Sequence, residues 1–401
     1  MKRAGTNPKL LIYAEYFLPV IGGVQTALAL LARGLAERAI ADPSSDQFME
    51  VTLITRSAAD GMDDSALPYR IIRRPGFRQL TRLIREADVI HIAGPCFVPL
   101  VLVWLLGKPA AVEHHGYQAA CPNGLLFMDQ DHSLCPGHFM AGRYAKCVAC
   151  NSGTMGRLGS IRQLLMTFPR RWLCKRIPVN VTISDHVGER LRLPRGRTIY
   201  YGIEILQPRV PESARKSSQI LRIAYVGRFV VEKGVPVLLH AAHQLAKEGC
   251  NFELTLIGGG PERSNLETLT AELGLAARVK FAGELQRQQV DQVLRTTDVV
   301  VMPSLCEETA GLAAMEQMMT GGVVVASRIG GLAEVVNGAG IKFAPGNSAE
   351  LSSCLLKIAN QPGDLVQLGS LARTRALNEF TVDRFVSEHA SLYRELISSS
   401  K

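Results

Sequence analysis

The sequence predicts an α/β fold with parallel sheets in two domains, and three observations lead to this prediction. Short apolar segments alternate with helical patterns through the first half of the 401 residues. After the polar segment Gln207–Ser218, which we interpret as the interdomain linker, the alternation starts again. Glycines or charged residues follow several apolar segments, as they do at the carboxyl ends of parallel strands, where open α/β folds bind ligands.

The composition is that of an ordinary globular chain, with 47% hydrophobic and 20% charged residues. The net charge of +9 is uneven, because residues 132–184 contain eight Lys or Arg and no Asp or Glu. This is a basic patch in one domain, and no nucleic-acid partner is predicted. No secretory signal pattern precedes the first strand, so we expect a cytoplasmic protein. The longest apolar run, Cys96–Gly107, is shorter than the ~20 residues of a membrane-spanning helix and predicts a buried helix.

The first half begins with a strand at Lys9–Tyr13, a loop that ends in Gly22-Gly23 and a helix at Val24–Ala39. A glycine pair at a helix start lets the backbone approach a phosphate closely, although it also suits a plain tight turn. Further strands are predicted at Val51–Thr55, Tyr69–Arg73, Asp88–Ile92, Ala110–Glu113, Val179–Ile183 and Thr198–Tyr201.

The strand Ala110–Glu113 leads into Glu113-His114-His115-Gly116 at its carboxyl end. A histidine at such a position suits a catalytic role, a substrate-binding role or a hydrogen-bonded structural role, and its position favours none of the three.

Residues 121–150 form a cysteine-rich segment with Cys121, Cys135, Cys147 and Cys150. The final Cys-x2-Cys is a usual half of a tetrahedral zinc site, and His132 or His138 could replace one cysteine in the less regular first half. We predict a structural zinc, because four thiolates leave no open position for catalysis. Free thiols and a redox or iron–sulfur role are the alternatives.

The stretch Arg157–Arg176 interleaves apolar residues with arginines. This pattern suits a helix on an anionic membrane surface near a lipid-borne substrate. It also suits a helix whose apolar stripe packs into its own domain, and both interpretations stay open.

In the second half, a strand at Leu221–Val226 precedes a turn, Gly227–Gly234, that carries Arg228 and Lys233. Two cations on a loop that leaves a strand can both reach a diphosphate, although they could also be solvated loop residues. Strands at Phe252–Ile257 and Arg278–Ala282 are followed by glycines, including Gly258 and Gly260.

Residues Val299–Val336 predict a strand, a turn with Glu307 and Glu308, a helix that starts near Gly311 and carries Glu316, and a second strand. Glu308 and Glu316, on either side of the start of this helix, suit a ligand with hydroxyls at both ends and an anionic group between them. A sugar nucleotide has this layout. The alternative is that one glutamate is an ordinary acid at a helix N-terminus and the other lies on a solvated helix face. Because the helix is apolar on most sides, we expect Glu316 to be buried.

Together these segments resemble the retaining glycosyltransferases of family 4, within glycosyl transferases group 1. The resemblance covers nearly the whole chain and rests on GRFVVEKG, TLIGGGP, DVVVMPSLCEETAGLAAMEQMMTGG and ASRIGGLAEVV in the second half, and on Gly22-Gly23, His91 and His115 in the first. It implies the GT-B fold, in which two facing Rossmann-like domains enclose an interdomain cleft. It also implies transfer from a nucleotide-diphosphate sugar (UDP, GDP or ADP) without a metal or other cofactor for the chemistry.

The resemblance implies a role for each matching residue. Arg228 and Lys233 would hold the diphosphate, Glu316 the ribose and Glu308 the donor sugar, and His115 would contact that sugar from the other domain. The remaining donor-binding positions would be Gly22, Gly23, Gly258, Gly260, Thr309, Ala310, Gly311 and Leu312. Ala310 and Gly116 depart from the family pattern, which often has an aromatic residue and an acid there.

We therefore expect an acceptor-side domain at 1–205 with the insertion 121–150, a donor-binding domain at 206–380 and a C-terminal helix at 381–401 that packs back toward the first domain. The predicted function is that of a hexosyltransferase-type enzyme for a cell-surface glycan or glycolipid, at the inner face of the cell membrane. A soluble small-molecule acceptor and a non-catalytic glycan-binding protein are the alternatives. A NAD-dependent oxidoreductase is disfavoured because no Gly-x-Gly-x-x-Gly follows Tyr13.

Overall fold

The computed structural model describes residues 7–20, 22–41, 49–128, 130–209, 220–361 and 363–400. The chain divides into two compact units. The first contains the described residues up to Leu126, Pro136–Glu204 and the C-terminal segment from Phe380, and the second contains Phe127–Cys135 and Ile205–Glu379. Most of the predicted linker, Gln207–Ser218, lies outside the described residues.

Strands and helices alternate along both units. The strands are β1 Lys9–Ala14, β2 Glu50–Thr55, β3 Arg70–Arg73, β4 Val89–Ala93, β5 Ala110–His114, β6 Phe127–Met128, β7 Ser133–Leu134, β8 Val179–Thr182, β9 Gly196–Thr198, β10 Leu221–Val226, β11 Phe252–Ile257, β12 Val279–Gly283, β13 Val299–Met302, β14 Val323–Ser327 and β15 Ile341–Phe343. The helices are α1 Gly23–Ala41, α2 Phe77–Glu86, α3 Phe97–Leu105, α4 Tyr144–Cys174, α5 Asp185–Leu191, α6 Val235–Lys247, α7 Arg263–Glu272, α8 Arg287–Arg295, α9 Leu312–Met319, α10 Gly330–Val335, α11 Ser348–Asn360, α12 Gly363–Glu379 and α13 Val382–Ser399.

The first unit is built on a seven-stranded parallel sheet with the strand order β3-β2-β1-β4-β5-β8-β9. Every residue of β4 and β5 is buried, as continuous apolar strands are when helices cover both faces of a parallel sheet. The helix α13 belongs to this unit and packs on α1, β4 and β5.

The second unit is built on a six-stranded parallel sheet with the strand order β12-β11-β10-β13-β14-β15. Its core contains side chains from the adjacent strands β10, β11, β13 and β14, among them Ile223, Leu254, Val299, Val301 and Val325. Because β10 and β13 are adjacent and parallel, the loops that follow them leave the same edge of the sheet.

The predicted α/β class is confirmed, and β10 and β11 have the predicted bounds. The prediction of a strand at Thr198–Tyr201 was wrong. The strand beside β8 at this edge is β9, Gly196–Thr198, which begins two residues earlier than predicted. The Ile199 N–H still donates to the Thr182 carbonyl over 2.9 Å, and Tyr201 is buried outside the strand.

The apolar run at Cys96–Gly107 forms α3, with Leu100 and Val103 buried as predicted. The end of this helix differs from the prediction, because Trp104 and Leu105 are 42% and 64% exposed. Within the described parts of the chain, none of the helices is long and apolar enough to cross a membrane.

Candidate functional site

The carboxyl edge of the second sheet brings together Lys233 and Glu308, which the sequence separates by 75 residues. Lys233 ends a short helical turn after β10, and Glu308 lies in the loop between β13 and α9. The Lys233 Nζ donates to Glu308 Oε1 over 2.5 Å, and the Ser304 hydroxyl donates to the same oxygen over 2.5 Å. The two charged side chains are only 23% and 13% exposed, so this is a shielded ion pair.

The pair holds both groups in their charged forms. Burial raises the pKa of Glu308, but the Lys233 ammonium and the two hydrogen bonds outweigh it, and the pKa lies below its ordinary value. Burial lowers the pKa of Lys233, but the Glu308 carboxylate outweighs it, and that pKa lies above its ordinary value. A carboxylate and an ammonium are therefore both present at this edge at neutral pH.

Arg228 is the exposed cation of the same loop. Its side chain is 73% exposed, and its Nη2 lies 3.8 Å from Glu232 Oε1. The backbone carbonyl of Arg228 accepts a hydrogen bond of 2.8 Å from the Tyr225 hydroxyl, which fixes the start of the loop. The guanidinium can therefore reach a ligand while its own backbone is held in place.

The backbone of Glu308 is held by the first turn of α10. The Gly331 N–H donates to the Glu308 carbonyl over 2.6 Å. Gly330 has a φ of +62°, and a Cβ at this position would press against the backbone of Glu308. Gly330 is therefore needed for the close approach that positions the carboxylate.

The helix α9 begins after Gly311, which has a φ of +72°, and this start was predicted. Ala310 is buried, while Thr309 and Leu312 are partly exposed beside the free N–H groups of the first turn.

The prediction that Glu316 is buried was wrong. Its side chain is 37% exposed, and its Oε1 lies 3.7 Å from Arg287 Nη2 of α8. Met315, Met318 and Met319 supply the buried face of α9, so Glu316 faces outward. The buried polar residue of this helix is Gln317, whose side-chain oxygen accepts a hydrogen bond from Arg209.

Gly258 and Gly260 have a packing role in the second unit. A Cβ at Gly258 would overlap the Gly227 carbonyl oxygen, and a Cβ at Gly260 would overlap the Phe229 carbonyl oxygen. The loop after β11 thus packs backbone to backbone against the loop that carries Arg228 and Lys233.

The first unit contains a cleft of about 1170 Å³ beside the carboxyl ends of β1 and β4. Gly22-Gly23 stands next to it, because α1 begins at Gly23 and the following Val24 and Gln25 line the cleft. Other lining residues include Tyr13, Glu15, Arg56, Arg74, Cys96, His115, Gln118 and Arg170.

His115 follows β5 and lies at the border of this cleft, with 8% of its side chain exposed. Its Nδ1 lies 2.6 Å from the Tyr201 hydroxyl. Burial lowers the pKa of His115 to about 4, against the opposing effect of Glu113, so the imidazole is neutral at pH 7. The preceding His114 is fully buried and bonds Asn180 Oδ1 over 2.9 Å, which makes it a residue of the core.

The sequence prediction overlooked a buried cluster around Glu113. His91, His115 and His389 surround this carboxylate, and Tyr393 contacts His91. His389 and Tyr393 lie on the buried face of α13 with Phe385 and Leu392. A histidine on an otherwise apolar helix face is the signal that could have pointed to the cluster.

The four cysteines of the segment 121–150 are all buried. Cys121 Sγ donates to Asn123 Oδ1 over 2.9 Å, and Asn123 Nδ2 donates to Cys150 Sγ over 3.6 Å. Cys121 and Cys150 thus share one asparagine.

The basic stretch Arg157–Arg176 is mostly helical, and it has features of both a membrane-surface helix and a helix packed into its own unit. Gly156, with a φ of 69° and a ψ of 165°, interrupts α4 before it. Leu164 and Leu173 are buried, whereas Leu158 is 83% and Leu165 60% exposed. One side of the helix therefore packs into its own unit and another side presents leucines to the surface.

Comparison with known proteins agrees with this architecture. Residues 208–375 match the family model of glycosyl transferases group 1. Across 98% of this chain and 100% of the other, the structure superposes on sucrose-phosphate synthase of Thermosynechococcus elongatus with a TM-score of 0.72 and 20% identity. Anabaena HepE in complex with UDP and glucose superposes with a TM-score of 0.69 and 18% identity, over 96% of this chain and 99% of that one. The chain has the GT-B fold. Its two sheets are those of the two Rossmann-like domains of GT-B proteins.

Curated relatives share part of this GT-B chain. The 2-deoxystreptamine glucosyltransferase of Streptomyces kanamyceticus is 30% identical over 254 residues, which are 59% of this chain and 64% of the relative. The MMP alpha-(1->4)-mannosyltransferase of Mycolicibacterium hassiacum is 32% identical over 191 residues, which are 47% of this chain and 46% of the relative. The chain thus spans less than two thirds of the length of these relatives.

Proposed function

We propose that this protein is a retaining glycosyltransferase. It transfers a sugar from a nucleotide-diphosphate sugar to an acceptor hydroxyl. The bond between the sugar anomeric carbon and the diphosphate breaks, a bond to the acceptor oxygen forms with the same configuration, and the acceptor proton is released. The observation that carries the proposal is the cluster of Arg228, Lys233 and Glu308 at one edge of the second sheet.

The proposed mechanism depends on charge at the leaving group. Negative charge develops on the diphosphate as the sugar departs, and Arg228 and Lys233 stabilise it. The N–H groups of the first turn of α9 face the same edge and favour an anion there. Glu308 accepts hydrogen bonds from donor-sugar hydroxyls and Glu316 from the ribose. The half-exposed position of Glu316 leaves its carboxylate accessible for that contact. No cofactor is required for this chemistry.

The comparisons support a nucleotide-sugar donor, because Anabaena HepE was crystallised with UDP and glucose and the matched relatives are named glycosyltransferases. We extend this to UDP-, GDP- or ADP-linked sugars. His115, which borders the cleft of the first unit, is proposed to form a hydrogen bond to a sugar hydroxyl as a neutral imidazole.

The cleft of the first unit is the proposed acceptor site. Among its described lining residues, Arg56, Arg74 and Arg170 are opposed by the single acid Glu15. This excess of positive charge favours an acceptor with an anionic group, such as a lipid-linked diphosphate glycan. The exposed leucines and arginines of the stretch 157–176 would hold the protein at the inner face of the membrane. A small soluble acceptor is the second candidate, favoured by the relative named 2-deoxystreptamine glucosyltransferase.

The substitution Arg228→Ala tests the donor assignment. We expect a loss of turnover of about 10²–10³-fold, as when one group that stabilises a developing anion is removed. Because the side chain is 73% exposed, the free energy of unfolding should change by no more than about 0.5 kcal/mol. Sugar transfer and donor hydrolysis are measured with UDP-, GDP- and ADP-sugars.

Arg263→Ala is the matched control, since Arg263 is a half-exposed arginine on α7 of the same unit. It should retain wild-type turnover. Unchanged turnover in Arg228→Ala would reject the assignment. Absence of both transfer and hydrolysis in the wild-type protein with every donor would favour a non-catalytic glycan-binding protein.

We also propose that the cysteine-rich segment 121–150 binds a structural zinc. The support is the Cys-x2-Cys spacing of Cys147 and Cys150 and the burial of both thiols in the first unit.

A further inference from the structure

A second candidate metal site lies in the first unit, away from the cysteines. Glu113 of β5 is fully buried, and three histidine nitrogens face its carboxylate. His91 Nε2 lies 3.3 Å and His115 Nε2 lies 3.5 Å from Oε2, while His389 Nε2 lies 3.5 Å from Oε1. His91 and His389 are also fully buried. A charged carboxylate in such a place needs strong compensation.

Hydrogen bonds within the described chain do not supply that compensation. Both Glu113 oxygens and the Nε2 atoms of His91, His115 and His389 lack a hydrogen-bond partner among the described residues. Five polar atoms that converge without a partner are unusual, since buried polar side-chain atoms are nearly always satisfied.

In His389 and His91, the Nδ1 atom contacts a neighbouring group and the Nε2 atom faces Glu113. His389 Nδ1 lies 2.9 Å from the Phe385 carbonyl oxygen. A carbonyl only accepts, so Nδ1 carries the hydrogen, and in the neutral ring Nε2 presents a lone pair to Glu113 Oε1. Two acceptors then face each other, and a positive species must lie between them. His91 Nδ1 lies 2.9 Å from the Tyr393 hydroxyl, which can donate or accept, so this contact orients the ring and leaves its tautomer open.

The positive species is either a proton or a metal ion, and the distances favour the metal. A hydrogen bond between an imidazolium and a carboxylate is about 2.7–2.9 Å long. The observed separations of 3.3 and 3.5 Å are longer. The 3.3 Å between His91 Nε2 and Glu113 Oε2 equals the distance of about 3.3–3.4 Å between two ligand atoms of a tetrahedral zinc ion with bonds of about 2.0–2.1 Å, and the 3.5 Å between His389 Nε2 and Glu113 Oε1 is slightly longer. Metal-binding histidines usually have their other nitrogen bonded to a carbonyl or similar group, as here.

We propose that His91, Glu113 and His389 bind a divalent metal ion of the zinc type. Their ligand atoms all lie within 4.8 Å of one another. The ion would join β4 and β5 to α13 and so fasten the C-terminal helix to the first sheet. His115, beside the same carboxylate and at the border of the cleft, lies between the ion and solvent. The role is structural and does not depend on the proposed transfer reaction.

Zinc content and the zinc coordination shell of the full-length wild-type protein test the proposal. After incubation with zinc and dialysis, we expect a bound ion with nitrogen and oxygen ligands at about 2.0–2.1 Å in X-ray absorption. Any zinc at the cysteines shows sulfur ligands at about 2.3 Å instead, so the two sites are distinguished in one spectrum.

Two substitutions remove the site in different ways. Glu113→Gln keeps the shape of the side chain, and its amide can donate to the His389 nitrogen, so the fold is preserved. His389→Phe keeps a ring against Phe385, which lies 4.7 Å away between ring centres. Each variant should lose one zinc per chain, the one with nitrogen and oxygen ligands.

His243→Phe is the matched control, because His243 Nδ1 also lies 2.9 Å from a backbone carbonyl, that of Leu273 in the second unit. It should keep the wild-type zinc content. The proposal is overturned if wild-type zinc has sulfur ligands only, if no zinc binds, or if Glu113→Gln keeps the full content. In those cases a proton bridges the cluster.

Discussion

At the scale of single residues, Lys233 and Glu308 were predicted as separate ligands for a diphosphate and a sugar, and the structure pairs them. Each side chain is the main electrostatic partner of the other. Removing one charge therefore leaves the opposite, shielded charge without a counter-ion. This lowers the free energy of unfolding more than the loss of an exposed ion pair does. Arg228 has no such constraint, because it is mostly exposed. Its substitution is for this reason the cleaner test of donor binding.

Glu308→Gln should lower the free energy of unfolding by about 1–3 kcal/mol at pH 7, since Lys233 loses its counter-ion. The pKa of Glu308 is lowered in the folded protein, so its contribution is present above the unfolded pKa of about 4.3 and is lost as the pH falls through the folded pKa. The difference between wild type and variant should therefore narrow in acid. Urea unfolding at a series of pH values between 7 and 3 measures it.

The control is Glu267→Gln, whose exposed pair with Arg263 should contribute less than about 0.5 kcal/mol. A Glu308→Gln variant as stable as wild type at pH 7, or a stability gap that does not change with pH, would contradict the ion-pair account.

At the scale of elements, the loops after β10 and β11 support each other through backbone contact. Gly258 lies against Gly227 and Gly260 against Phe229, so the position of Arg228 and Lys233 depends on glycines of the neighbouring loop. Gly258 and Gly260 were predicted as donor-binding positions, and the structure shows a packing reason for the same residues.

Gly258→Ala should destabilise the protein by about 3 kcal/mol or more, because the new Cβ would overlap the Gly227 carbonyl at a φ of +135°. Gly249→Ala is the matched control. It has a φ of +74° but nothing within 4 Å of the new Cβ, so its cost should be about 1 kcal/mol. Thermal unfolding compares the two variants, and equal costs would show that backbone overlap is unimportant at Gly258.

The exposed leucines of α4 predict contact with a membrane surface. The double variant Leu158→Ser/Leu165→Ser should bind anionic lipid vesicles at least about tenfold more weakly, since burying one leucine contributes about 1.5–3 kcal/mol. Its stability should stay near that of wild type, because these leucines are 83% and 60% exposed.

Leu371→Ser is the control for this experiment, with a 45% exposed leucine on α12 in the second unit. Vesicle co-sedimentation measures binding. Equal binding of the wild type and the double variant would leave the helix with only its packing role.

At the scale of the whole molecule, the two metal proposals give the chain two zinc ions with different ligands. Cys147→Ser/Cys150→Ser should remove one zinc per chain, the one with sulfur ligands, and lower the melting temperature. Cys250→Ser/Cys354→Ser is the control, since these cysteines lie in the second unit and should not affect metal content. Elemental analysis that finds only traces of zinc in the wild-type protein after incubation with zinc and dialysis would defeat both proposals.

The sequence alone was sufficient for the α/β class, for the strands β10 and β11, and for the order of strand, turn, helix and strand between residues 299 and 327. Apolar periodicity and glycine positions are local properties, and local properties determine secondary structure at long, regular segments. The candidate residues Arg228, Lys233 and Glu308 were found for the same reason, because each follows a recognisable strand.

Only the tertiary structure decided which of these groups meet. It paired Lys233 with Glu308, turned Glu316 outward, and brought Tyr393 to within 2.9 Å of His91, 302 residues earlier. Such contacts depend on the order of strands in a sheet and on where a distant helix packs. The periodicity of one segment carries no information about its partner, so a buried carboxylate among histidines appears only when the chain is folded.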